Sequence, residues 1–291
     1  MPASTRERLY VATSLADAVA ALADRGSAGA PLAGATWIMR APIRREELRS
    51  SYVGIGGIAE LCAVALTDDE IHIGACVTHA RLIAALAGVE GCDGLVAAAG
   101  GAANPAVRQM ATVGGNLCAS DFPASDLSPA LLCLDASVEL RTPSGRERVP
   151  LGRLMDVRRT LEPGTLVTGV VIARKPLRTG HARLPLRKAG DYPVAIVSMA
   201  AELGSEGSIE NIRVAVGSVE ASARRWPQLE EQLLGRPLDP AMAYELAKAG
   251  TGAFAGRESV EAPGWYRVQV LPTLVRRAAQ AALAAQQYER T

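Results

Sequence analysis

The sequence predicts an α+β protein of two domains, on three observations. Strand-like and helix-like segments alternate through the first part of the chain, and near residue 180 this gives way to a long hairpin pattern and an almost purely helical tail. The length of 291 residues suits one large domain or two ordinary ones. Apolar residues make up 49% of the chain, enough for a substantial core, while aromatics at 4% leave Ala, Val and Leu to fill it.

The elements follow in order. "SLADAVAALADRG" predicts a helix: Ser14 and Asp17 make a capping-box-like start, Leu15, Val19 and Leu22 share a face, and Gly26 is a natural stop. A short strand is expected at "APLAGATWIM". In "EIHIGA" Ile71 and Ile73 alternate with polar residues as on a half-buried strand, and Thr78 then caps a helix in "HARLIAALAG". "LVAAAGGAANPAVRQMA" leads to a glycine stretch, and Pro129 marks a helix start in "LSPALLCLDA". "SVELRTPSGRERVPL" reads as a hairpin turning at Pro143, Ser144 and Gly145, and "GTLVTGVVIARKPL" as another strand. A domain boundary falls at about residue 175, in "ARKPLRTGHAR". Beyond it come the hairpin "VAIVSMAAELGSEGSIENIRVAVGSV" and three helical segments, "PQLEEQLLG", "DPAMAYELAKAG" and "VQVLPTLVRRAAQAALAAQQYE".

Composition excludes several classes of function. Lys and Arg total 31 against 30 Asp and Glu, without the basic excess that nucleic acid or an anionic membrane surface attracts. The five cysteines, Cys62, Cys76, Cys92, Cys118 and Cys133, are odd in number and never at CxxC spacing, so they read as free thiols of a reducing compartment. No secretory signal and no apolar stretch of membrane-spanning length is evident. The expectation is a soluble, cytoplasmic protein.

Two glycine-bearing loops carry the chemistry. "LAGATWI" (32–38) and "TVGGN" (112–116) match neither GxGxxG nor a P-loop. Both strip side chains from backbone that a ligand can approach, and adjacent N–H groups in such loops form nests for phosphate oxygens. Thr36, Thr112 and Asn116 add hydroxyl and amide donors. Two readings stand for Gly114–Gly115: a plain tight turn, or one half of a clamp on a pyrophosphate. Two also stand for Asp126: a helix N-cap before "LSPALL", or an acceptor for the hydroxyls of a ribityl or ribose chain. His72, His79 and His181 each lack a metal-spaced partner, and Asp68, Asp69 and Glu70 read as a solvated turn. With no nucleophile elbow and no acid–base pair, the chain points to a carried cofactor that performs the hard chemistry.

The ordered segments "PLAGATWI", "IGGIAEL", "IHIGACVTHARL", "NPAVRQMATVGGN", "ASDFPASDLSPALLCLDASVEL", "AGDYPVAIVSMAAEL", "IRVAVGSV" and "GWYRVQVLPTLVRRA" span nearly the whole chain. In them the sequence resembles the FAD-binding medium subunit of the xanthine dehydrogenase and carbon monoxide dehydrogenase family of molybdenum hydroxylases. The resemblance implies an FAD-binding domain of the vanillyl-alcohol-oxidase (PCMH) type over residues 1–175, with subdomains at about 1–55 and 56–175. It implies a C-terminal domain over 176–291 with a small antiparallel sheet and helices. Carried over by position, the FAD-binding residues are Leu32, Ala33, Gly34, Ala35, Thr36, Trp37 and Ile38, then Thr112, Gly114, Gly115 and Asn116, with Asp126, Val167 and Tyr192. Ala35 stands where the family has a second glycine, and Trp37 where Asp or Ser is common. The lysine that often precedes "GDY" has Arg183 or Lys188 as its substitute.

The same resemblance implies non-covalent FAD, a partner small subunit with [2Fe–2S] clusters, a molybdopterin-binding large subunit, and a dimer of heterotrimers. The expected function is electron transfer from the clusters to an external acceptor. The alternatives are a stand-alone FAD-dependent oxidase of the vanillyl-alcohol-oxidase type and a flavin-free scaffold subunit.

Overall fold

The structure is a computed structural model describing residues 8–119, 121–186 and 192–284. In chain order, β1 (Leu9–Val11), α1 (Leu15–Arg25), β2 (Gly29–Leu32), α2 (Ala41–Arg44) and β3 (Ser51–Gly54) come first. Next are β4 (Val64–Leu66), β5 (Glu70–Gly74), α3 (His79–Leu86), α4 (Asp93–Gly101), α5 (Pro105–Arg108), α6 (Val113–Cys118) and α7 (Leu127–Cys133). They are followed by β6 (Ser137–Thr142), β7 (Gly145–Pro150), α8 (Leu151–Val157), β8 (Leu166–Ala173), β9 (Arg178–Pro185), β10 (Pro193–Leu203) and β11 (Ile209–Gly217). The chain closes with β12 (Arg224–Arg225), α9 (Pro227–Leu233), α10 (Pro240–Gly250), α11 (Gly264–Gln269) and α12 (Leu271–Ala284).

These elements gather into two compact units that interleave along the sequence. The first holds residues 1–79, 109–120 and 137–171; the second holds 80–108, 121–136 and 172–291. The second unit is discontinuous in sequence because α4 packs on β9 and α7 on β10 and β11.

In the first unit β3 runs parallel to both its neighbours in the sheet β1-β3-β2. Helix α1 forms where its sequence is locally complete. The Ser14 hydroxyl accepts the Asp17 N–H, and the Asp17 carboxylate takes the Thr13 N–H and the Tyr10 hydroxyl. The Thr13 N–H, ahead of the Tyr10 hydroxyl, holds the Asp17 carboxyl below the usual carboxylate range. Gly26 ends the helix at φ +58°. Ala18, Val19 and Leu22 of α1 share a core with Val53, Ile55, Ile58 and Leu61. A second sheet, β4-β5-β8-β6-β7, contains the expected hairpin: β6 and β7 pair from Ser137 with Pro150 to Thr142 with Gly145, around Pro143–Ser144.

The second unit carries the antiparallel sheet β12-β11-β10-β9. Every residue of β10 from Pro193 to Ala201 is buried, so both faces of that strand are covered. Val197, Met199, Val214 and Val216 share a core with Trp226, which precedes α9, and with Leu233, Leu274 and Val275 of the C-terminal helices. Mixed helix and sheet are thus as expected, with three local differences. The strand in "APLAGATWIM" ends at Leu32, because the chain must turn there into the loop that precedes a short 3₁₀ turn at Ile38–Arg40. The segment "ARKPLRTGHAR" contains the first residues of β9, which pairs with β10 through Arg178 and Ala201 at one end. The last helical segment is divided between α11 and α12.

Candidate functional site

The first glycine loop follows β2. Leu32 closes that strand, its carbonyl accepting the Ile55 N–H at 2.9 Å. Ala33 to Ile38 are half-buried. Ala35 takes a left-handed φ of +57°, a conformation that favours glycine and costs an alanine about 1–2 kcal/mol. Its carbonyl accepts the Met39 N–H, and that of Trp37 accepts the Arg40 N–H. The N–H groups of Thr36, Trp37 and Ile38 precede these bonds, as the first donors of a helical turn do. A Cβ on Gly34 would run into the Met110 carbonyl oxygen, so the bare backbone lies directly on the chain entering the second loop. Trp37 is covered by the Arg44 guanidinium, 3.6 Å above its ring, and Arg44 also bonds the Trp37 carbonyl and Glu46.

The second loop is the start of helix α6. Thr112, buried, caps it: its hydroxyl oxygen accepts the Gly115 N–H at 3.2 Å, and its carbonyl accepts that of Asn116 at 2.9 Å. The Val113 and Gly114 N–H groups donate to the carbonyls of Val77 and Ala75. These glycine N–H groups are therefore engaged within the protein rather than forming an open nest. The missing side chain of Gly114 serves packing, since a Cβ there would stand 2.7 Å from the Ala75 Cβ and 2.9 Å from its carbonyl oxygen. What the loop exposes is the backbone at Gly115, without a side chain, beside the half-buried Asn116. Gly114→Val is expected to push α6 away from residues 74–77, destabilising the first unit by about 1–3 kcal/mol and lowering flavin content with it. A thermal melt paired with flavin occupancy checks this; an unchanged melt would refute the packing role of Gly114.

Asp126 and Tyr192 belong to the second unit. Asp126 occupies the N-cap position of α7, yet its side chain caps nothing there. Ser125 does that task, its hydroxyl accepting the Ser128 N–H. The Asp126 carboxylate, 3% exposed, turns instead to β9: Arg183 Nε donates to Oδ1 at 2.9 Å, and His181 Nε2 lies 3.5 Å from the same oxygen. His181 Nδ1 is 2.9 Å from the Ser198 hydroxyl on β10. The buried His181 thus has an acidic neighbour, which the sequence did not reveal. The available sign was its spacing from Arg183, since residues two apart on a strand share a face. The charge of Arg183 neutralises the carboxylate and fixes its direction.

Tyr192, half-buried, meets the Phe122 ring edge-on with centroids 5.6 Å apart. Val167 lies buried in β8 opposite Leu140, within the five-stranded sheet of the first unit. Lys188 lies outside the described residues. His72 pairs with Glu70 at 3.0 Å on the surface, and His79 is buried at the head of α3. The described cysteines are all free, and Cys76, Cys92 and Cys133 are buried. Burial pushes the Cys92 and Cys118 thiols up to about 11, so neither is a ready nucleophile. Among the described residues no three His, Cys, Asp or Glu gather as a metal site, and no helix is long and apolar enough to cross a membrane.

The first loop suits a dinucleotide cofactor on two counts: backbone N–H groups at the head of a turn and a threonine hydroxyl on one side, and a glycine seated tightly on the other. Comparison with known proteins adds to this. Residues 4–174 match the family described as the FAD binding domain in molybdopterin dehydrogenase, and residues 182–282 match the CO dehydrogenase flavoprotein C-terminal domain. The chain is 31% identical to the carbon monoxide dehydrogenase medium chain of Afipia carboxidovorans, over 93% of this chain and 94% of that one. It is 26% identical to the xanthine dehydrogenase FAD-binding subunit of Escherichia coli, over 94% and 95% of the two chains. In structure it superimposes on a chain of reconstituted CO dehydrogenase from Oligotropha carboxidovorans with a TM-score of 0.85, 26% identity and coverage of 98% and 99%.

Proposed function

The chain belongs to the family of the FAD binding domain in molybdopterin dehydrogenase, and from that membership we propose that it is the electron-transfer flavoprotein subunit of a molybdenum-containing hydroxylase or dehydrogenase. Electrons come from [2Fe–2S] clusters on a small partner, supplied by a molybdopterin-binding large partner, and leave to an external acceptor. The carrying observation is the loop Ala33–Ile38, seated through Gly34 on Met110 beside the Thr112-capped start of α6. A loop so tightly backed keeps its outward donors fixed before a ligand arrives, which lowers the ordering cost of binding.

In this reading Leu32 to Ile38 line the dinucleotide, the first-turn N–H groups of Thr36 to Ile38 and the Thr112 hydroxyl donate to phosphate oxygens, and Asn116 bonds a sugar or phosphate edge. Gly114 and Gly115 let α6 sit close by lacking side chains. Asp126, oriented by Arg183, accepts from ligand hydroxyls, Tyr192 shields the ring system, and Val167 gives it an apolar neighbour. The chemistry that bound flavin supplies is the passage between one-electron and two-electron transfer, which no side chain provides. We assign residues 1–175 to an FAD-binding domain of the vanillyl-alcohol-oxidase type, with subdomains at about 1–55 and 56–175, and 176–291 to the C-terminal domain. The assembly in this reading is a cytoplasmic dimer of heterotrimers.

The binding test is chemical. The purified chain is expected to show a flavin spectrum and to release yellow FAD to the supernatant on acid precipitation. The first loop offers no Cys or His for a covalent link, and Trp37 stands beside Thr36 instead. A colourless chain that takes up no added FAD would refute the reading. Flavin left in the pellet would refute its non-covalent part.

A further inference from the structure

Ser218 is fully buried at the end of β11 and holds a left-handed φ of +64° without being a glycine. Such a conformation persists only where its surroundings over-determine it, and here they do. The Ser218 N–H donates to the Pro123 carbonyl at 3.0 Å, and its hydroxyl donates to the Pro193 carbonyl at 2.5 Å. Its own carbonyl accepts Arg257 Nε at 3.0 Å and Arg267 Nη1 at 3.1 Å. Arg267 on α11 is itself fully buried, and the same Nη1 reaches the Val194 carbonyl at 2.6 Å. Desolvation lowers the Arg267 pKa, the cost of placing a guanidinium where water does not reach.

The two segments tied to Ser218 are those that carry Phe122 and Asp126 on one side and Tyr192 on the other. Pro123 lies between Phe122 and Asp126, and Pro193 follows Tyr192. One residue thus bonds both segments, and the Phe122–Tyr192 ring contact lies beside those bonds. We infer that Ser218, backed by Arg267, is a positioning residue for FAD binding: it fixes the spacing of these two segments from within the C-terminal domain, without touching the ligand. The inference rests on the reading that Asp126 and Tyr192 serve the flavin.

Two variants of the full-length chain test it. Ser218→Gly removes the hydroxyl's bond to Pro193 and the long 3.4 Å bond it accepts from Arg257 Nη2, yet keeps the backbone bonds and eases the left-handed conformation. Ser218→Cys keeps a side chain of the same shape, though larger, and offers a weaker donor. Leu233→Ala, in the same core but away from the clamp, serves as the stability control. Apo protein of each is titrated with FAD, and the visible circular dichroism of the bound flavin and the apo melting temperature are recorded. In Ser218→Gly the FAD dissociation constant should rise roughly fivefold, the worth of one net hydrogen bond. Its flavin dichroism should change while its melt stays near wild type, and Ser218→Cys should fall between. Leu233→Ala should melt lower and bind FAD as wild type does. Equal affinity and dichroism in wild type and both Ser218 variants would overturn the clamp, as would an equal loss of affinity in Leu233→Ala. A wild-type chain that takes up no FAD would overturn the underlying flavin reading itself.

Discussion

Loaded with FAD and assayed without partners, the chain is expected to reduce no dye with aldehydes, purines or carbon monoxide as donor. Substrate oxidation in the proposed scheme is assigned to the molybdopterin-binding partner, and the Cys92 and Cys118 thiols, pushed up by burial, are poor nucleophiles. In that scheme electrons arrive from a cluster on another polypeptide, and a stable interface for that purpose would bury on the order of 1,600 Å². Co-expression with a molybdopterin-binding large chain and a ferredoxin-like small chain should give a larger co-eluting assembly and restore turnover from none to that of the complex. The comparison of dye reduction by chain and complex, at equal FAD content, decides it. Turnover by the chain alone would replace the electron-transfer reading with that of a stand-alone FAD oxidase.

Glu230→Ala is expected to cost the second unit about 3 kcal/mol, near the lower end for breaking a buried ion pair. Glu230, 6% exposed on α9, accepts the Val214 N–H of β11 at 2.8 Å and Arg225 Nε of β12 at 2.9 Å. Its truncation leaves a buried strand N–H without an acceptor and removes the partner of Arg225, whose pKa the hydrogen bond to Glu230 raises. The Arg225 side chain is 38% exposed, so water recovers part of the loss and keeps the effect from the upper end of the range. Glu230→Gln retains an acceptor for Val214 and should lose less. Denaturant unfolding followed by tryptophan fluorescence in a Trp37→Phe, Trp265→Phe background leaves Trp226, buried against Phe254 at 4.8 Å between centroids, as the reporter on this core. Identical midpoints for wild type and Glu230→Ala would show that the pair holds nothing.

What was legible in the sequence is what short-range chemistry encodes. Helix α1 declares itself by Ser14, Asp17 and Gly26, each acting within a few residues, and the β6–β7 hairpin by its two-residue connection. The family and its FAD-binding domain were legible from ordered segments, because those segments persist along the whole chain. Strand β9 was not, because "RTGHARLP" has no clean alternation of apolar residues. It is a strand because β10 supplies its hydrogen bonds and α12 passes so close that a Cβ on Gly180 would strike the Ala278 carbonyl. The local pattern also left Asp126 as a plain cap or a ligand contact. Only folding turned its carboxylate to Arg183, 57 positions away, and gave the capping task to Ser125. Gly114 tells the same story: sequence marks the bare backbone, but only tertiary structure shows that Ala75 requires it. Turns, caps and periodicity act over a handful of residues and are written in order. The direction of a buried side chain and the clearance around a glycine are set by segments distant in sequence, so they exist only once the chain has folded.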